Sequence, residues 1–368
     1  MARGVPGMKR KRWGFLVVAT ILVLLLFEGA AGGAAFLWNA LRSGGASLRY
    51  YAAAEERRHM RYDPELGWVG LPDREIPDLY GPGNGLRTER HGFRNDRNVE
   101  AKPPAGRRRV ICSGDSFTFG QGVAGDETWC HLLGQLDPTV DPVNMGQRGY
   151  GVDQAYLWYL RDGTRLAHRL HLLAFISGDF SRMQQRTHHG YGKPLLALED
   201  GRIVTHNVPV PQFRTWWPWM SRLGRAAAEL HVVKLGRRLL DRPGAEAPRA
   251  DDGATRQVAL AVFRDLARLH AARGSRIVLV WLPVQEEIVS EERRWRPWLE
   301  QCSAAEGLTL YDLSQELRAL DPYEAREFFI QEADTAVLDA AGHYNERGHA
   351  WVAQRLHQRL AAEPWWSP

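Results

Sequence analysis

From residue 106 onward, short apolar runs alternate with longer amphipathic stretches, and this alternation restricts the fold more than any other feature of the chain. "RRRVICSG", "TVDPVNMG", "LHLLAFISGD", "SRIVLVWLPV" and "LTLYDLS" read as strands. "ETWCHLLGQL", "GVDQAYLWYLRDGTRL", "ATRQVALAVFRDLARLHAARG", a Trp-rich stretch over about 285–305 and "NERGHAWVAQRLHQRLAA" read as helices. Strands separated by helices pair in parallel, with helices on both faces of one sheet. In such sheets ligands sit beyond the carboxyl ends of the strands. Ser116, Gly149, Asp179 and Pro283 all fall at those ends.

The 368 residues are 44% hydrophobic and 25% charged, enough for one large domain with additions or for two domains. Basic residues number 48 and acidic residues 43, a difference of five. Five cations, Arg3, Lys9, Arg10, Lys11 and Arg12, stand before Trp13 with no acidic residue among them, so the remainder is balanced. The basicity is local, which excludes a nucleic-acid partner.

After that leader, "WGFLVVATILVLLLF" runs from Trp13 to Phe27 without a charge, and "GAAGGAAFLW" continues past Glu28 to Trp38. Together they reach the roughly 20–25 residues that cross a bilayer as a helix. Basic residues stay on the cytoplasmic side, so the bulk of the protein is expected outside. A cleaved signal peptide is the competing reading, and it exports the domain equally.

The expected organisation is a leader at 1–12, a transmembrane anchor at 13–38, a stalk and lead-in segment at 39–105, a catalytic domain at 106–362 and a tail at 363–368. The lead-in reads as short strands or hairpins. An insertion at 181–252 interrupts the alternation. It holds a β-hairpin turning at Glu199-Asp200-Gly201, then "TWWPWM" and a Pro/Ala/Asp linker, and is expected beside the same strand ends. Trp216, Trp217 and Trp219 suit sugar stacking, a membrane interface or plain packing. Cys112, Cys130 and Cys302 read as buried free thiols. No spacing of ligating residues indicates a metal, and no cofactor is expected.

The first strand runs directly into "SGDSFTFGQG". Gly-Asp-Ser is ordinary turn chemistry, so Ser116 is a nucleophile only if the chain also supplies a base and an oxyanion site. A serine hydroxyl needs a base to take its proton, and histidine is the usual one near neutral pH. The carbonyl oxygen becomes an anion during attack and needs prearranged N–H donors. Ser116 N–H at a helix start is one such donor, and glycine at 149 lets backbone approach a substrate closely. Asp115 reads as a helix cap, Asp179 as a structural hydrogen-bonding residue and His349 as a loop histidine bonded to backbone.

With these blocks in place, residues 62–362 resemble the SGNH/GDSL hydrolase superfamily, in particular its membrane-anchored bacterial members. "GDSFTFGQGV" looks like the nucleophile block, with Ser116 in the catalytic position. "VNMGQRGYG" is similar to the second block, with Gly149 as an oxyanion donor. "FISGDF" resembles a third block that usually reads Gly-x-Asn-Asp; Gly178 stands at the Asn, leaving its own N–H or a neighbouring side chain as the third donor. "GHYNERGHAWVAQRL" resembles the last block, with His343 as base.

The resemblance implies a flavodoxin-like three-layer α/β/α sandwich with a parallel sheet. It places the triad acid three residues before the histidine, where this chain has Ala340. Asp339 is one residue further back, with Gly342 to let the loop bulge, and a Ser-His dyad is the fallback. The implied activity is that of an exported serine esterase or O-acyltransferase, passing an acyl group from Ser116 to water or to a glycan hydroxyl. The rival is a catalytically impaired glycan-binding protein of an envelope polysaccharide assembly.

Overall fold

Five strands form the central sheet of the computed structural model: β1 (Arg108–Gly114), β2 (Val140–Gly146), β3 (Leu170–Phe175), β4 (Arg276–Trp281) and β5 (Leu310–Asp312). All pair in parallel, in the order β5-β4-β3-β1-β2. This is the doubly wound flavodoxin-like order, whose direction reverses between β1 and β3. Pro142 lies within β2, an edge strand, where a missing backbone donor is tolerated.

The structure describes residues 59–188, 191–211, 252–335, 337 and 340–366, with a few positions between 16 and 29. The chain divides into two compact units, residues 1–48 with 214–248 and residues 49–213 with 249–368, and the sheet belongs to the second. Most of the expected anchor at 13–38, together with Trp216, Trp217, Trp219 and Asp339, lies outside the described residues. Among the described residues no helix is long and apolar enough to cross a membrane.

Alternation along each strand explains the two apolar layers. Val110, Cys112, Leu172, Ala174, Val278 and Val280 face one side, with Trp129, Leu133, Trp351, Val352 and Leu356 packed in the same cluster. Ile111, Val143, Leu173, Phe175, Leu279 and Trp281 belong to the other, with Ala155, Trp158, Val262, Phe263 and Leu299. Helices α1 (Ser116–Phe119), α2 (Trp129–Leu136), α3 (Val152–Arg161), α4 (Ser177–Arg182), α5 (Asp252–Arg273) and α6 (Arg296–Glu306) connect the strands. α7 (Ser314–Arg318), α8 (Pro322–Arg326) and α9 (Glu346–Ala361) follow β5.

Three sequence readings change. The helix expected over about 285–305 is a 3-10 turn, Gln285–Ile288, followed by α6, whose first turn holds Pro297; proline is tolerated only there. His349 lies inside α9 rather than in a loop, and its Nδ1 accepts the Trp129 N–H at 3.2 Å. The hairpin of the insertion, Leu195–Glu199 paired with Arg202–His206, packs on α5 instead of standing over the strand ends. Gly201–Ile203 share a groove with Arg264, Asp265 and Arg268 in the second half of that helix. Among the described residues of the insertion, its root lies near the strand ends, where Lys193 pairs with Asp153 in the first turn of α3; both side chains are fully buried.

The lead-in segment forms two small antiparallel pairs, Met60–Asp63 with Gly67–Gly70 and Glu75–Ile76 with Leu86–Arg87. Cys112, Cys130 and Cys302 are free and buried.

Candidate active site

β1 ends at Gly114 opposite Gly146 of β2. A Cβ on Gly146 would lie 2.2 Å from the Phe119 nitrogen, so only glycine lets α1 settle onto these strand ends. Asp115 caps α1: its carboxylate accepts the Phe117 N–H at 2.9 Å. Two further side chains fix the far end of the helix. Asn144 donates from Nδ2 to the Thr118 carbonyl at 2.9 Å, and Arg94, itself buried, donates to the carbonyls of Phe119, Gly120 and Val123. Ser116, the first residue of α1, is therefore held from both sides.

His343 arrives from the loop before α9. Ile330 N–H donates to the His343 carbonyl at 2.8 Å and Gly342 N–H to the Ile330 carbonyl at 2.8 Å, tying the loop to the segment after α8. Gly342 has φ +80°, the left-handed conformation a glycine adopts without strain. The imidazole packs on Phe117 with ring centroids 4.6 Å apart. Nε2 meets Ser116 Oγ at 2.8 Å, and Nδ1 faces the Ala340 carbonyl oxygen at 3.3 Å. With Nδ1–H donating to that carbonyl, Nε2 is left as the acceptor that a base requires.

Burial is the largest influence on His343 and lowers its pKa to about 4; the Asp115 carboxylate opposes this, and Arg148 and Arg182 add to it. The imidazole is thus neutral, the form able to take a proton. Arg148 is positioned by Gln121, whose Oε1 accepts from its Nε at 2.7 Å.

Gly149 occupies the loop between β2 and α3 with φ +76°, and Gly178 lies in the first turn of α4. The N–H groups of Ser116, Gly149 and Gly178 have no acceptor among the described residues. Asp179 accepts the Ile176 N–H at 3.2 Å and pairs with Arg182, which also donates to Asp115 Oδ2 at 2.9 Å. Burial and the neighbouring Asp115 charge hold the Asp179 carboxyl well above its ordinary range.

The structure brings Ser116 and His343 together and leaves Asp339 outside the described residues. Sequence reasoning passed over Arg94, Asn144, Arg148, Arg182 and the Ala340 carbonyl. Arg182 alone left a trace, lying one helical turn after Asp179. The groove beside the hairpin tip is large, about 780 Å³, but its Arg264 is paired with Glu306 and its Tyr156 with Asp265, and it holds no nucleophile. Among the described residues no group of His, Cys, Asp or Glu could hold a metal.

No family model matches this sequence, and no curated protein matches it. Solved structures are similar to it at low identity. A member of the lipolytic protein G-D-S-L family from Veillonella parvula aligns at a TM-score of 0.40 and 13% identity, covering 70% of this chain and 100% of that one. An acetyl xylan esterase aligns at 0.39 and 14%, covering 68% of this chain and 98% of that one. An alpha/beta hydrolase from the metagenome of Lake Arreo, Spain, aligns at 0.39 and 13%, covering 71% and 97%. The structure neighbours of this chain thus include lipolytic proteins of the G-D-S-L family.

Proposed function

We propose that the protein is a serine esterase or O-acyltransferase that works through an acyl-Ser116 intermediate. The observation that carries this reading is the 2.8 Å contact between Ser116 Oγ and His343 Nε2, with Nδ1 turned to the Ala340 carbonyl. In the first step Oγ forms a bond to the ester carbonyl carbon. Its proton moves to Nε2, and the C=O π pair moves onto oxygen. Free N–H groups of Ser116, Gly149 and Gly178 are the candidate donors to that oxyanion. Collapse expels the alcohol, which leaves with the proton from Nε2. Water, or a glycan hydroxyl in the transferase case, repeats the sequence in reverse on the acyl-enzyme.

The Ala340 carbonyl facing Nδ1 supports a tautomer that leaves Nε2 free to take the proton, and Asp339 remains the candidate carboxylate of that loop. The basic leader and apolar segment support the further reading that the domain is anchored outside the cytoplasm, where acylated cell-surface glycans are its substrates.

Intact cells expressing the full chain should hydrolyse a membrane-impermeant acetyl ester. Ser116→Ala should lower this turnover by up to about 10⁶-fold, the loss known for a serine nucleophile, and melt near the parent. Activity that appears only after lysis would overturn the location. Retention of turnover in Ser116→Ala would overturn the nucleophile, and equal inactivity of parent and variant on every ester would favour the glycan-binding rival.

A further inference from the structure

Arg182 is committed to the protein through one of its two terminal nitrogens only. Nη1 donates to Asp115 Oδ2 at 2.9 Å, to the Tyr150 carbonyl at 3.1 Å and to Asp179. Those acceptors come from the segments after three separate strands and hold Nη1, whose two hydrogens they share, in place. Nη2 has no acceptor among the described residues and lies 3.6 Å from where a Cβ on Gly178 would stand. The side chain is 17% exposed, so its uncommitted edge is not sealed by protein. Asp115 Oδ2, which accepts from Nη1, is in turn 3.4 Å from Ser116 Oγ. A rigid cation with a spare donor therefore sits one residue from the nucleophile, in the space that glycine at 178 leaves open.

We infer that Arg182 is a catalytic residue whose Nη2 donates to the oxyanion formed on the substrate carbonyl. This rests on the ester chemistry proposed above and extends it to a charged donor. When the Ser116 Oγ–carbon bond forms, the displaced π pair resides on oxygen and the Oγ proton on His343 Nε2. Nη2 strengthens its hydrogen bond to that oxygen without giving up its proton, because a guanidinium remains charged throughout. A charge-assisted donor is worth more against an anion than against the neutral ground-state carbonyl. A purely structural arginine would need only Nη1.

Arg182→Lys in the full chain separates the two roles, since one ammonium can stay between Asp115 and Asp179 but cannot also reach the oxyanion. We expect kcat to fall about 10²-fold, the cost of one oxyanion donor, with KM nearly unchanged and thermal midpoint close to the parent. Adding Gly178→Asn to Arg182→Lys places an amide donor in the vacated space without rebuilding the ion pair, and should recover about tenfold in kcat, a partial return of one donor. Affinity for a boronic acid that forms a tetrahedral anion on Ser116 should follow kcat through the series. The inference fails if Arg182→Lys keeps the parent kcat while the parent is active. It fails equally if the loss is not recovered by Gly178→Asn and boronate affinity stays constant. A parent as inert as Ser116→Ala overturns the ester reading itself.

Discussion

His343 can serve as a base only while neutral, and its surroundings keep it so. Burial lowers its pKa to about 4, and the cation of Arg148 pushes the same way against Asp115 and the Ala340 carbonyl. Because the protonated form is inactive, kcat/KM should stay flat through neutral pH and fall as the pH drops through about 4. Arg148→Gln removes a cation that disfavours imidazolium, so the acid limb should move to higher pH. Initial rates after a rapid pH jump would separate this limb from unfolding. An unmoved limb would mean that another group limits the rate. This orientation of His343 illustrates where the sequence falls silent. Ser116 and His343 were legible because their side chains are chemically distinctive, whereas a backbone carbonyl such as that of Ala340 is carried by every residue. Its selection depends on φ +80° at Gly342 and on the pairing with Ile330, both of them tertiary properties.

At the scale of elements, the β-α alternation announced all five strands and their parallel pairing. α7 and α8, five residues each, went unread because so short a helix shows no periodicity. The placement of the hairpin was also hidden: its apolar positions Leu198 and Ile203 announce a partner but not which helix provides it. At the root of the insertion stands the ion pair of Lys193 with Asp153, fully desolvated on both sides. Burial lowers the Lys193 pKa, and the Asp153 carboxylate counteracts it. Lys193→Met leaves a buried carboxylate without its cation and should cost about 3–5 kcal/mol, read as a lowered urea midpoint. Adding Asp153→Leu should restore most of the loss. If the single variant unfolds at the parent midpoint, the root of the insertion is held by other contacts.

Across the sheet-bearing unit, further imidazoles are buried besides that of His343. Ser113, His171, His270 and Ser275 form a continuous chain, with 3.1 Å between His171 Nδ1 and His270 Nε2 and 2.8 Å between His270 Nδ1 and Ser275 Oγ. Burial lowers the pKa of His270, His59 and His349 to about 3 each, and takes His171 well below its ordinary value. The unfolded chain protonates these rings near pH 6.5, whereas the folded one does so only in much stronger acid. The unfolded state thus binds more protons below about pH 6.5, and stability falls as the pH drops from there toward 3. Urea midpoints should decline steadily between pH 7 and about 5, each histidine contributing up to about 1.4 kcal/mol per pH unit. His270→Asn should flatten that slope, and a midpoint independent of pH would refute the account. The 227 positions that separate Ser116 from His343 have a consequence for how the protein is made. Ser116 leaves the ribosome early, with β1, while its proton acceptor is translated after β4 and β5. Throughout most of its synthesis the nascent polypeptide therefore carries Ser116 without its partner imidazole, and on the proposed mechanism the pair is assembled only once the loop before α9 has been made.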